Sequence, residues 1–313
     1  MSRYLVTGGA GFIGSHVVEQ LTARGNVVRV VDDLSTGRRA NIERCAGVEL
    51  IEADLADPRV APRAVAGMDV IIHLAAIPSV PRSVREPQRT HRANVDATHM
   101  LLVAAGEAAV TRVVVASSSA VYGESPTLPK HEEMPAVPKS PYGLHKLICE
   151  RYASLYWELY GLETVSLRFF NVFGPRQAPD SQYSGVVSLF IAALLDGRPP
   201  TIYGDGAQTR DFTFVSDVVD GVLSACVAPG VAGRVLNLAR GGRVSVNDLL
   251  ASVSRVTANT VEAIYGDARA GDVRDSQADI SRARALLGFE PRVSIEDGLA
   301  QTVAWYRGAP AGR

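Results

Sequence analysis

Tyr142 and Lys146 stand four residues apart in "SPYGLHK", a spacing that puts both side chains on one face of a helix. A phenol with a pKa near ~10 is a weak base at neutral pH, and a neighbouring ammonium would stabilise its phenolate and lower that pKa. Such a pair can take a proton from an alcohol. Upstream, "RVVVASSSAVYG" ends an apolar run in Ser117, Ser118 and Ser119. A hydroxyl from this cluster could hydrogen-bond the oxygen that gives up the proton. The alternative use of such serines is to cap the following turn.

"YLVTGGAGFIGSHVVEQL" at the N-terminus places Gly8, Gly11 and Gly14 between a buried strand and an amphipathic helix. Without a Cβ the turn is tight and a pyrophosphate can approach the backbone, where the helix offers free N–H groups and the positive end of its dipole. Asp32 follows at the end of the second strand, where an acidic side chain accepts hydrogen bonds from an adenosine ribose. Its charge would repel a 2′-phosphate, which favours NAD over NADP. Arg38 and Arg39 come shortly after; a solvated loop is the reading kept for them, and a phosphate contact is the alternative. The cofactor contacts expected from this region are Gly8, Gly11, Phe12, Ile13, Gly14, Asp32 and Asp33.

Six short apolar runs position these groups: "YLVTG", "VVRVVDD", "VELIEAD", "DVIIHLAA", "RVVVASSS" and "TVSLRFFN", all before residue 172 and separated by longer helix-like stretches. That alternation predicts an α/β fold, a Rossmann-like doubly wound parallel sheet with helices on both faces. Residues 1–172 are expected to form the cofactor domain with Ser118, Tyr142 and Lys146. Residues 173–313 are expected to form mainly a smaller mixed domain, some of whose segments return to the first. "SGVVSLFIAALLDG", "VSVNDLLASVSRVT" and "ISRARALLGFEP" read as helices, and the terminal "RGAPAGR" as a frayed tail. At 313 residues and 47% apolar, the chain can bury a sizeable core. A net charge of -1 without runs of like charge excludes a nucleic-acid footprint and a polybasic membrane patch. Cys45, Cys149 and Cys226 lack metal spacing and fit reduced thiols in a cytoplasm. No apolar run reaches transmembrane length.

The ordered series Gly8, Gly11, Gly14, Asp32, Asp54 with Leu55, "HLAA" at 73 to 76, Asn94, the serine cluster and Tyr142 with Lys146 resembles the extended short-chain dehydrogenase/reductase family. The resemblance covers nearly the whole chain, and within that family the sequence is most similar to UDP-hexose 4-epimerases. It implies that Ser118 is the catalytic hydroxyl, that Lys146 also bonds the nicotinamide ribose, and that NAD is held tightly. It further implies that Asp54 and Leu55 flank the adenine, that Ala75 and Ala76 line the pyrophosphate and nicotinamide ribose, and that Asn94 supports the cofactor side of the fold. For Asp54 a helix cap before "LADP" is the competing explanation, and for the alanines close packing at a strand end.

The same resemblance implies a UDP-sugar substrate contacted by Ser118, Ser119, Asn171, Arg210, Arg269, Asp272 and Ser276, and a homodimer that pairs two helices per subunit. No metal is implied. Sugar-nucleotide 4,6-dehydratases of the family carry an Asp-Glu pair directly after the catalytic hydroxyl, where this chain has Ser119 and Ala120. Without that acid and base, oxidation at carbon 4 followed by reduction is what remains. UDP-glucuronate 4-epimerases are also similar, but carry a Thr in place of Asn171 and an Arg in place of Ala178. A neutral hexose is therefore favoured unless Arg82 or Arg176 meets a carboxylate. The small Ser276 leaves room for an N-acetyl group beside carbon 2. A net sugar-nucleotide dehydrogenase or reductase and a non-catalytic nucleotide sensor are the alternative functions.

Overall fold

Along β1 (Arg3–Thr7), Leu5 is buried on one side of the sheet and Tyr4 and Val6 on the other. The same two-residue alternation divides Val113 and Val115 from Val114 on β5 (Arg112–Ser118). Strands apolar on both faces need cover on both faces. In this computed structural model, which describes residues 1–178, 185–268 and 273–308, helices supply it. On one face α1 (Phe12–Ala23) and α8 (Val215–Val227) pack Val17, Leu21, Val218 and Val222 into the core of Val6, Ile72 and Val114. On the other, α2 (Val60–Val65), α5 (Ala97–Glu107) and α6 (Pro141–Tyr160) bring Ala61, Leu101, Leu102 and Ala153 against Leu5, Ile71 and Val113.

The central sheet also contains β2 (Val27–Asp32), β3 (Glu49–Glu52), β4 (Val70–His73), β6 (Glu163–Phe169) and β11 (Arg234–Leu238). Its order is β3-β2-β1-β4-β5-β6-β11, parallel throughout. The chain builds outward from β1 to β3 and then returns to set β4 on the other side of β1. Loops leaving the carboxyl ends of β1 and β4 therefore diverge, and the crevice between them is where such sheets take ligands. Gly8, Asp32, Leu74 and Ser118 all lie at this edge. Short helices α3 (Val80–Arg85) and α4 (Pro87–His91) follow β4.

The remaining elements form a smaller mixed unit. Three two-stranded ribbons pair β7 (Asn171–Phe173) with β10 (Phe212–Phe214), β9 (Thr209–Arg210) with β12 (Val244–Ser245), and β8 (Thr201–Tyr203) with β13 (Ile264–Gly266). Around them lie α7 (Val186–Leu195), α9 (Val246–Thr257), α10 (Ser281–Leu287) and α11 (Ile295–Gly308). The six strands expected before residue 172 form. A seventh, β11, comes from the last third of the chain and completes the sheet beside β6, because five residues of "RVLNL" gain a ladder only from a partner far away in sequence. Of the expected tail, Arg307 and Gly308 end α11, and the Arg307 guanidinium donates to the Thr257 carbonyl at 2.9 Å, while residues 309–313 lie outside the described residues. No helix among the described residues is long and apolar enough to cross a membrane.

Candidate active site

At the carboxyl end of β1, Gly8 takes φ +68°, and a Cβ there would lie 2.7 Å from the Ala75 nitrogen. At Gly14 a Cβ would lie 2.1 Å from the Gly8 carbonyl oxygen, so α1 and its loop touch backbone to backbone. Helix α1 begins at Phe12 with Gly11 as cap, no side-chain hydrogen bond to that cap and no acidic residue in its first turn. The amides of Phe12 and Ile13 have no intrahelical acceptor and face the loop mouth. Asp32 is 7% exposed and accepts from the Ala10 and Leu34 amides, both at 2.9 Å, while burial pushes its pKa up. Asp33 is exposed and accepts from the amide and hydroxyl of Ser35. Arg39 turns away to Glu52 at 2.6 Å.

The adenine side differs from the simplest expectation. Asp54 accepts from the Ala56 amide two residues on at 2.9 Å, in a turn rather than at a helix start, and pairs with Arg92 at 2.5 Å; Leu55 is buried in the core. Asn94, in a π-helical turn at Arg92–Asp96, grips the backbone of Ile77 from both ends of its amide, at 2.7 and 3.3 Å. It thereby fixes the turn that carries Ala75 and Ala76. Behind that turn a buried chain of polar groups runs from β1 to α5. Thr7 bonds His73 Nδ1 at 2.7 Å, His73 Nε2 bonds Thr98 at 2.9 Å, and the Thr98 hydroxyl donates to the Asn94 carbonyl at 2.5 Å. With its proton committed to Asn94, Thr98 must accept from Nε2. Burial keeps His73 neutral, so Nδ1 carries no proton and accepts from Thr7.

Ser118 ends β5 and caps the short 3-10 turn Ser119–Tyr122, accepting from the Ala120 amide at 3.2 Å. Its hydroxyl also lies near the Tyr142 phenol and works to lower the phenol's pKa. Tyr142 sits in the first turn of α6, where Ser140 is the cap and the buried Ser83 of α3 accepts from the Tyr142 amide at 3.0 Å. Lys146 is buried and donates to the Ala116 carbonyl at 2.8 Å. The structure thus brings Ser118, Tyr142 and Lys146 together at one strand end, as the spacing predicts. The expected pKa effect is different. Burial raises Tyr142 to about 12 although the nearby Ser118 hydroxyl works to lower it, and burial lowers Lys146. Desolvation of the phenolate outweighs the attraction that the four-residue spacing implies.

On the substrate side, the Asn171 amide donates to the Asp211 carbonyl at 3.1 Å, which sets it beside Arg210. Arg210 donates to the carbonyls of Thr209 and Arg274 at 2.9 and 3.0 Å. Ser276 is 8% exposed and its amide donates to Thr209 at 3.1 Å. Ser119 is partly exposed in the turn after Ser118. Arg269 and Asp272 lie outside the described residues. Sequence reasoning missed Asp211, whose fully buried carboxylate accepts from the amides of Arg240, Gly241 and Ala278 and ties three loops to β9; burial raises its pKa to about 6. An acidic residue between two short strands, in "RDF", is its only signal. Among the described residues no cluster of three His, Cys, Asp or Glu side chains could hold a metal ion.

The profile of the NAD dependent epimerase/dehydratase family matches residues 4–239. This chain belongs to that family. It is 41% identical over 310 residues to UDP-glucose 4-epimerase of Mycolicibacterium smegmatis, covering 97% of this chain and 98% of that one. The solved structure of a UDP-N-acetylglucosamine 4-epimerase from Methanobrevibacter ruminantium, in complex with UDP-N-acetylmuramic acid, superposes with a TM-score of 0.94 at 39% identity, covering 98% of each chain. A UDP-glucose 4-epimerase from Thermotoga maritima with UDP-glucose gives a TM-score of 0.94 at 38% identity, over 97% of this chain and 98% of that one. NAD is the cofactor of this epimerase/dehydratase, and the loop suits it: uncapped amides at the start of α1 and glycines whose Cβ atoms would fill the cradle.

The neutral His73 makes the fold sensitive to acid. Burial, reinforced by Lys146, lowers its pKa from the ordinary 6.5 to about 3. Between those values the unfolded chain takes up a proton that the folded chain refuses, so stability is full above pH 6.5 and falls as pH drops towards 3. The slope from this one group is at most about 1.4 kcal/mol per pH unit. Urea unfolding at pH 7, 6 and 5 should show a shallower decline for His73→Gln than for the parent, with His16 and His145 acting alike in both. Equal slopes would contradict a neutral, buried His73.

Proposed function

We propose that this enzyme inverts carbon 4 of a UDP-hexose reversibly, through a transient 4-keto sugar. The observation that carries the reading is the placement of Ser118 near Tyr142 at the end of β5, with Lys146 one turn along α6 and bonded to the Ala116 carbonyl of the same strand. Bound NAD would supply a reversible hydride acceptor. Tyr142 takes the proton from the hydroxyl on carbon 4 and returns it, and Ser118 holds that oxygen in line. Because the surrounding protein keeps the phenol near 12, proton removal needs extra positive charge beside the ring, which Lys146 and an oxidised nicotinamide together would bring. Ser119 and Ala120 offer no acid and base for elimination, so the keto sugar can only be reduced again.

In this reading Gly8, Gly11, Phe12, Ile13 and Gly14 hold the pyrophosphate of NAD, Asp32 with Asp33 nearby the adenosine ribose, and Lys146 the nicotinamide ribose. Ala75 and Ala76 line that path, and Asp54, Leu55 and Asn94 shape it from behind. Residues 173–313 mainly hold the sugar nucleotide, through Arg210, Arg269, Asp272 and Ser276, with Asn171 from the end of the first segment. A neutral hexose is supported by the partners of the two arginines that could have met a carboxylate: Arg82 pairs with Glu86 at 3.3 Å and Arg176 with Glu19 at 2.5 Å. The small Ser276 supports acceptance of the N-acetylated sugar as well.

A homodimer is supported by apolar side chains left open on α5 and α6, including Val103, Leu144, Leu155, Leu159 and Tyr160, the last two 67% and 69% exposed. Light scattering that gave a monomer mass would end that part of the reading. Three unpaired cysteines support a cytoplasmic compartment.

Purified protein incubated with UDP-glucose or UDP-N-acetylglucosamine, without added NAD, should yield the carbon-4 epimer of each by NMR. Tyr142→Phe keeps the ring and should lower kcat by about 10²- to 10⁴-fold with thermal unfolding unchanged. Near-full activity in that variant would refute the proton route, and stoichiometric release of NADH would favour a net dehydrogenase.

A further inference from the structure

Glu150 continues the Tyr142 and Lys146 face of α6 by one more turn, yet the proton chemistry makes no use of it. Its side chain is 3% exposed and meets that of Arg168 on β6, itself 5% exposed, at two points: Nε to Oε1 and Nη2 to Oε2, both at 2.8 Å. Oε1 also accepts from the Ser117 hydroxyl at 2.5 Å. The Arg168 guanidinium stacks 4.6 Å from the centre of the Tyr122 ring, and the Tyr122 hydroxyl donates to Asn237 of β11 at 2.6 Å. Nη1 of Arg168 is buried without a partner. Such a pair is a poor source of stability, because removing both ions from water offsets their attraction. What it delivers is a fixed separation between the elements it joins.

Those elements are the ones that carry the reacting groups. Ser117 immediately precedes Ser118, and Tyr122 closes the turn that Ser118 caps, so Ser118 is anchored on both sides to one ion pair. Lys146 and Tyr142 share a rigid helix with Glu150 itself. We propose that Glu150, paired with Arg168, is a positioning residue that sets the separation of Ser118 on β5 from Tyr142 and Lys146 on α6. The assignment rests on the functional reading of those three residues.

Glu150 also acts on Lys146 through its charge. The titratable or charged groups around Lys146 are Tyr142, His145, Cys149 and Glu150 on its own helix, His73 on β4, Arg168 on β6, and His91 of α4 against His145. Burial lowers Lys146, and Cys149 and then Glu150 oppose it. The Cys149 thiol is itself raised by burial and stays neutral at working pH. Glu150, one turn along the same helix face, is thus the acidic neighbour that opposes the effect of burial on Lys146.

Two variants test this. The chain has only three lysines, Lys130, Lys139 and Lys146, so each can be followed by NMR of ¹³Cε-labelled protein. Glu150→Gln keeps the shape and an acceptor while removing the charge; Lys146 should then titrate at lower pH, with Lys130 and Lys139 unmoved. The double variant Glu150→Leu with Arg168→Leu removes both ions and should unfold at a temperature close to the parent's. Its kcat should nevertheless fall by about 10²-fold, with KM for the sugar nucleotide within about threefold, because the reacting groups are misplaced. An unmoved Lys146 titration in Glu150→Gln, or a double variant as active as the parent, would overturn the proposal. A parent protein without epimerase activity would instead refute the functional reading, and the lysine titration would still decide whether Glu150 holds the Lys146 charge.

Discussion

A buried ammonium and a half-buried phenol on one face of α6 are the constraint around which this enzyme is arranged. Burial alone pushes Lys146 towards its neutral form and Tyr142 towards a pKa of about 12, both away from the state that removes a proton. The protein answers with oriented groups: the Ala116 carbonyl on the lysine, the Ser118 hydroxyl on the phenol, and Glu150 two turns beyond Tyr142. None of these can shift far, since each belongs to β5 or α6 and the two are joined through Ser117, Glu150 and Arg168. In the proposed reaction, a phenol that stays protonated until a positive ring lies beside it would spare the site unproductive ionisation.

The parallel sheet makes that arrangement possible. Because every strand of the central sheet runs the same way, the ends of β1, β2, β4, β5 and β6 meet at one edge, and the Gly8 loop, Asp32, Ala75, Ser118 and Asn171 arrive there together. Close approach at Gly8 and Gly14 lets α1 point its free amides into the same crevice. Rigid polar chains stand behind the crevice. Asn94 fixes the turn after β4 through Ile77, and Asp211 gathers the loops of the smaller unit beside Arg210.

Most of the sheet and the central triad were legible because they are local patterns. Strand runs of period two, a strand-glycine-helix junction and a Tyr and Lys four apart each declare themselves within a dozen residues. Interactions joined only by folding were not legible. Glu150 lies at the right helical spacing behind Lys146, but its partners Arg168 and Ser117 are 18 and 33 residues away. Strand β11 and Asn237 depend on β6 and Tyr122 in the same way. The sign of the Tyr142 shift was also hidden, since spacing reports the neighbouring ammonium but not the depth at which the phenol sits.

The account stands or falls on whether hydrogen leaves carbon 4 and returns to it inside one closed site. UDP-glucose carrying deuterium at carbon 4, incubated with the enzyme in ordinary water and followed by NMR and mass spectrometry, measures this directly. Hydride transfer and return predict UDP-galactose with the deuterium retained at carbon 4. Product that had exchanged its deuterium for solvent hydrogen would show that the bond is broken as a proton, and the assignment of Tyr142, Ser118 and NAD to a carbon-4 oxidation would be wrong.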